Sequence, residues 1–229
     1  MMSKNRSQWP VWPAILLILM MIVMNGNAQD KNNSTLLLKA AAANDTTAVK
    51  QLLAAHADVN VKDHKQRTAL MIATYQHHTP VAALLIAAGA DVNAQDDILN
   101  SPFLYAGAEG YLDILQLCIK AGANYNIYNR YGGTALIPAC ERGHIEIVKT
   151  LLQDKSFPID HVNRLGWTGL LEAIILSNGG PAHVQIVQML ADAGCNVNLA
   201  DKDGVTPLAH ARSRRFKAII AILEKAGAR

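Results

Sequence analysis

Aromatic residues are scarce in this chain, 5% of its 229 positions, although 51% are hydrophobic. A core built from that composition must rely on Ala, Leu, Ile and Val rather than on large rings. A large surplus of charge of one sign is missing too. Lys4 and Arg6 are the only charged residues among the first 28. Set aside from the total of 21 basic residues, they leave 19 against 18 acidic ones. That balance provides no general electrostatic drive toward nucleic acid or acidic lipid. The sequence has no HExxH, no CxxC, no GxxxxGK[ST] loop and no nucleophile elbow, so no zinc-peptidase, phosphate-loop or serine-hydrolase chemistry is indicated. Gly132-Gly133 and Gly179-Gly180 read as turn glycines. Eight His are present without ligand spacing. His77 and His78 are neighbours and would not share a helix face. His144 falls in a turn and His56 at a helix end. No metal and no cofactor are expected.

What is present is repetition. Ser101 to Asn126 reads as helix, Gly turn, helix, Gly stop. Ser101-Pro102 is a helix start, a hydroxyl cap followed by Pro at the first position. Leu112, Leu115 and Ile119 recur at helical spacing, and Gly122 is placed as a C-terminal stop. Leu37, Leu70, Phe103, Leu136, Leu170 and Leu208 anchor six such units. Two residues before each anchor stands Thr35, Thr68, Ser101, Thr134, Thr168 or Thr206. Three after it stands Ala40, Ala73, Ala106, Ala139, Ala173 or Ala211. The closing segments Ala57–Asn60, Ala90–Asn93, Ala123–Asn126 and Cys195–Asn198 align as well.

This register, near 33 residues over about 29–229, resembles the ankyrin repeat family. The resemblance implies an all-α solenoid of about six helix-turn-helix repeats with short β-hairpin turns, and a protein-binding scaffold without enzymatic activity. Small Ala positions let the inner helices pack closely, and each repeat buries its face against neighbours. One departure runs through all six units. Where the family commonly has the His of Thr-Pro-Leu-His, this chain has Leu38, Met71, Leu104, Ile137, Leu171 and Ala209. Apolar packing is expected to substitute for the lost hydrogen bonds. Pro138 falls in a first helical turn, where a missing N–H costs least. The inter-helix segment from Ser177 to His183 is about five residues longer than in the other repeats, as the alignment of units counts it. Cys118, Cys140 and Cys195 stand where sister repeats have Leu or Ala, so they read as small core residues. A Cys118–Cys140 disulfide is the alternative.

Residues 1–28 fall outside the repeats. A basic start at Lys4 and Arg6, the apolar run Ala14 to Met24, and small residues at Gly26 and Ala28 read as a secretory signal peptide cut after Ala28. The run is short for a membrane span, which needs roughly 20 residues. An uncleaved anchor is the alternative, and a cleaved chain has no stable membrane anchor. Asp30 stands seven residues before its anchor, as Asp63, Asp96 and Asp201 do before theirs, so the cut would release repeat 1 at its start. The expected location is periplasmic or secreted, in a Gram-negative bacterium. The expected partner is a protein, such as a periplasmic enzyme that the chain binds or stabilises, and not nucleic acid. A secreted effector or inhibitor that blocks a partner's active site is an alternative. A hydrolase with a site in the repeat 5 loop is a further one, with no motif behind it. Register assigns the outward positions, and interface-prone residue types among them mark the candidate binding set: Tyr75, Tyr128, Arg130, Tyr131, Arg142, Arg164, Leu165 and Trp167.

Overall fold

The computed structural model describes residue 30 and residues 32–229. The apolar run and the expected cut after Ala28 lie outside the described residues. Six helix pairs follow one another. They are α1 (32–42) with α2 (Thr46–Ala54), α3 (Ala69–Tyr75) with α4 (Thr79–Ala87), and α5 (Pro102–Glu109) with α6 (Leu112–Lys120). Then come α7 (Leu136–Arg142) with α8 (Ile145–Leu152), α9 (Gly169–Ile175) with α10 (Pro181–Asp192), and α11 (Pro207–Ser213) with α12 (Lys217–Lys225). The inner helices α3, α5, α7, α9 and α11 form one row, and the outer helices α2, α4, α6, α8, α10 and α12 form a second. All six anchors are buried, as are the Ala positions three residues later. Inner helices approach closely enough that a Cβ on Gly107 would sit 2.7 Å from the Cβ of Ala135. One continuous core runs from Leu37 to Leu223. Each fully buried Leu or Phe anchor contributes about 1.5–3 kcal/mol.

Hydroxyl caps start most inner helices. Thr68, Ser101, Thr168 and Thr206 accept from the backbone N–H of Met71, Leu104, Leu171 and Ala209. Repeat 4 departs from this. In the other four, the N–H two residues past the anchor (Ile72, Tyr105, Glu172, His210) donates to the carbonyl of the cap residue. Pro138 occupies that position in repeat 4 and has no N–H to give. The helix starts one residue late, at Leu136, and the buried Thr134 hydroxyl has no partner. In this repeat the proline therefore coincides with a missing hydroxyl cap. Repeat 1 differs for another reason. Asp30 is helical and its carbonyl accepts from the Ser34 hydroxyl at 2.7 Å, so it opens a helix rather than a hairpin.

At the inter-helix turns Gly110 and Gly143 take φ of 78°, and His77 adopts the same left-handed region at 54°. The extra length of repeat 5 is divided between a longer loop and a longer helix. Pro181 starts α10 early, giving it 12 residues against 8 in α8. The loop lies against repeat 6, where a Cβ on Gly179 would meet the Phe216 ring at 2.6 Å. The irregular end of repeat 4 is filled by the buried Phe157, whose ring lies 4.8 Å from that of Tyr125. The substituted His positions behave as expected in the middle of the stack, where Met71, Leu104, Ile137 and Leu171 are buried. At the C-terminal end Ala209 is exposed.

Candidate protein-binding site

The hairpins that project from the stack have a common construction. Their first residue is Asp63, Asp96, Asn129, Asn163 or Asp201. In each, its backbone N–H and the carbonyl four residues on close the loop, as in Asn163 with Trp167 at 3.0 Å. One oxygen of the same side chain accepts two further N–H groups, two and four residues ahead. An Asx side chain thus supplies acceptors that a strand partner would otherwise supply. Among the described residues the only β pairing is an isolated bridge between Lys62 and Thr68, so these turns are side-chain-stapled loops with little strand.

Long side chains tie one loop to the next. Lys62 Nζ donates to the Gln95 carbonyl at 3.0 Å, and Gln95 Nε2 to the Tyr128 carbonyl at 2.8 Å. Arg164 donates to the Arg130 carbonyl at 2.8 Å, and Lys202 Nζ to the Arg164 carbonyl. Backbone bonds join the tips directly, Asp97 N–H to the Lys65 carbonyl and Arg164 N–H to that of Tyr131. Lower down, Asn60 and Asn93 accept from the backbone N–H of Asp91 and Asn124 in the following repeat. These bonds link the loops alongside the apolar packing at the substituted His positions.

Three consecutive tips carry an exposed apolar side chain at one register position: Ile98 at 42% exposure, Tyr131 at 53% and Leu165 at 52%. Beneath them, between the tips and inner helices of repeats 3 to 5, lies a concave pocket of about 400 Å³. Ile137 and Pro138 form part of its floor, and Tyr131, Leu165 and Leu176 its apolar walls. On the other side Arg142 pairs with Glu109 at 2.6 Å and also donates to the Ala108 carbonyl. Glu141 and Glu172 line the same space. Glu172 is buried, and its Oε1 accepts from Asn163 Nδ2 at 2.8 Å. Burial pushes its carboxyl up to about 7, and the Glu141 charge adds to the rise while the Asn163 bond opposes it.

Of the eight residues assigned from register, Arg130, Tyr131, Arg142 and Leu165 line this pocket. The other four are placed otherwise. Tyr75 is half-buried, its hydroxyl donates to Asp96 Oδ2, and it accepts from Asn100 Nδ2 at 3.0 Å. Burial and the Asp96 bond raise its ionisation above the ordinary range. Tyr128 stacks on His161 at 4.2 Å. Arg164 is spent on the neighbouring carbonyl. Trp167 is half-buried, and its backbone closes the hairpin through Asn163.

The family described as "Ankyrin repeats (3 copies)" matches residues 14–96 and 103–201. The chain belongs to the ankyrin repeat family. It is 52% identical to a crystallised ankyrin repeat domain from Acinetobacter baumannii AYE, with a TM-score of 0.83, covering 84% of this chain and 98% of that one. The solved ankyrin repeat protein EF0377 is 40% identical at a TM-score of 0.80, over 82% and 96% of the two chains. A putative ankyrin repeat protein of Escherichia coli K12, YahD, is 45% identical over 84 residues, which are 37% of this chain. The match spans 42% of that relative. Ankyrin repeats are typically non-catalytic modules that bind proteins.

Within this ankyrin stack Glu172 escaped sequence reading. It stands two residues past its anchor, where sister repeats have Ile72, Tyr105, Pro138 and His210, and it sits on the inner face of a helix assigned to the core. A signal was available in repeat 6, where Asp201 and His210 keep the same nine-residue spacing and bond at 2.7 Å. The cysteines are buried free thiols. Among the described residues no group of three His, Cys, Asp or Glu could hold a metal, and no helix is long and apolar enough to cross a membrane.

Proposed function

We propose that this ankyrin protein acts after export across a membrane as a non-enzymatic scaffold, gripping a protein partner in the periplasm through the concave face of repeats 3 to 5. The observation that carries the binding reading is the row of Ile98, Tyr131 and Leu165. Three apolar side chains exposed at one register position, beside a pocket, are what a partner would cover. Export is supported by Lys4 and Arg6, the apolar run Ala14 to Met24, and the small residues Gly26 and Ala28. Balanced charge on the repeats fits a protein partner better than a polyanion.

The test is capture from a periplasmic fraction by the tagged protein, read by mass spectrometry, beside N-terminal sequencing of exported material. A single stoichiometric partner that is lost with Tyr131→Ala and kept with Lys62→Ala supports the reading. Tyr131→Ala should weaken binding by about 2 kcal/mol, a hot-spot magnitude. Exported protein that starts at Met1, or the absence of any stoichiometric partner, overturns it.

A further inference from the structure

The pocket beneath Tyr131 and Leu165 has an unusual charge arrangement. Five charged side chains line it. Glu109 and Arg142 neutralise one another at 2.6 Å. Arg130 lies at the rim with its guanidinium 4.9 Å over the Tyr131 ring. Glu141 and Glu172 remain. Among the described residues neither takes part in an ion pair. Glu172 is 5% exposed, yet only its Oε1 is hydrogen-bonded, to Asn163, and the carboxylate lines the cavity. A buried acid that lines the same cavity as a second acid, with no cation paired to either, has its charge uncompensated when ionised.

We infer that this pocket receives one basic side chain, lysine or arginine, from an extended segment of the protein partner. Its cationic head would lie between Glu141 and Glu172, and its aliphatic stem against Tyr131, Leu165 and Leu176. The inference rests on the protein-binding reading above and names the chemistry of the partner. Charge complementarity is its ground. A cation there gives the second oxygen of Glu172 a donor and compensates the negative charge that Glu141 and ionised Glu172 bring to the cavity. Its positive charge opposes the two influences, burial and the Glu141 charge, that hold the Glu172 proton on. The mixed lining suits a long side chain with an apolar stem and a charged tip. A bare metal ion would find no third ligand, since no metal-capable group of three exists among the described residues. A free anion would meet two carboxylates.

The experiment is a titration of the isotope-labelled protein, followed by amide NMR shifts, with the peptide acetyl-Ala-Leu-Arg-Leu-Ala-amide and its lysine analogue. The same peptides carrying citrulline or norleucine, of similar shape and no charge, are the controls. Saturable shifts at Asn163, Leu165 and Glu172 are expected with a basic peptide. Binding should be at least about tenfold weaker with the neutral peptides and with the Glu172→Gln protein, since loss of one partner of a desolvated charge pair is costly. The tighter of the arginine and lysine peptides identifies the side chain. Glu172→Gln keeps an acceptor for Asn163, and circular dichroism checks its fold. Should it unfold, Glu141→Gln is the second variant and should weaken the basic peptide alone. Equal shifts from basic and neutral peptides, or a basic peptide bound as tightly by both variants, overturn the inference. A captured partner that survives Glu172→Gln but is lost with Tyr131→Ala overturns this subsite and leaves the scaffold standing. Peptide binding without any captured partner does the reverse.

Discussion

Asn163 and Glu172 are joined by a hydrogen bond of 2.8 Å, Nδ2 to Oε1, which ties the hairpin of repeat 5 to its inner helix. Asp201 and His210 make the same connection one repeat later at 2.7 Å, with the acid on the loop and the base on the helix. In repeat 5 the order is reversed, a neutral amide on the loop and the acid on the helix. An amide can satisfy one carboxylate oxygen but cannot neutralise the charge. Glu172 is therefore left as a buried acid without a cation, at the bottom of the concave face.

That position makes folding sensitive to pH near neutrality. The carboxyl of Glu172 ionises near 7 in the folded protein, against an ordinary 4.5. Between those values the folded protein holds a proton that the unfolded chain has released. Its contribution is full below about pH 4.5 and is lost as pH rises through 7, by up to about 3 kcal/mol in all. Glu172→Gln should match the wild type near pH 4.5 and exceed it in stability at pH 8. Urea unfolding of both proteins across this range is the measurement. A difference that stays constant with pH would show that Glu172 does not titrate in this window.

The orphaned hydroxyl of Thr134 predicts opposite effects from one substitution at two equivalent positions. Thr134→Val removes a buried group that has no partner, and should leave stability unchanged or raise it by about 1 kcal/mol. Thr68→Val removes a working cap from α3 and should cost about 1 kcal/mol. The midpoints of chemical unfolding for the two variants should shift in opposite directions, or the first not at all. A loss at Thr134 as large as that at Thr68 would show that its hydroxyl is satisfied after all.

Leu99 holds a left-handed backbone, φ 60°, where the later hairpins have Gly132, Gly166 and Gly204. A Cβ in that region costs roughly 1–2 kcal/mol, and the Leu side chain is exposed, so packing does not offset it. Leu99→Gly should raise thermal stability by about 1 kcal/mol. A destabilised variant would mean that the side chain is held by contacts in the fold.

The three thiols should be inert in the folded state. Burial pushes Cys118 and Cys195 up to about 12, and Cys140 well above its ordinary value. Since the thiolate is the reactive form, labelling by a thiol reagent at pH 8 should be slow until urea is added. Cys118→Leu adds volume at a fully buried position and should cost about 1–3 kcal/mol, the scale of overpacking a core. Rapid labelling of native protein, or melting on mild reduction, would contradict the buried free thiols.

The repeat register, the anchors, the Ala positions and the glycine turns were legible in the residues because each is a local requirement repeated six times. A small residue between close helices and a left-handed residue after a helix leave the same mark in every unit. The role of the closing Asn was visible only as an alignment. Its meaning, an acceptor for the next repeat, needed the spacing between units. Pro138 is legible as a first-turn proline, but the unpartnered Thr134 hydroxyl is not, because it depends on where the helix actually begins. Half of the outward set line the pocket. Tyr75, Tyr128 and Arg164 are outward by register, but each side chain has a partner in an adjacent loop, and Trp167 is half-buried.

By itself, the sequence determined that this chain is a stack of ankyrin repeats, since period, caps and helix faces depend on residues within one unit and its immediate neighbours. Only the tertiary structure decided where the stack is incomplete. The pairing of Asn163 with Glu172, the proximity of Glu141, and the apolar row Ile98, Tyr131 and Leu165 bring together residues from three repeats. Charge and exposure at such a place depend on distances between units, which no spacing along the chain records.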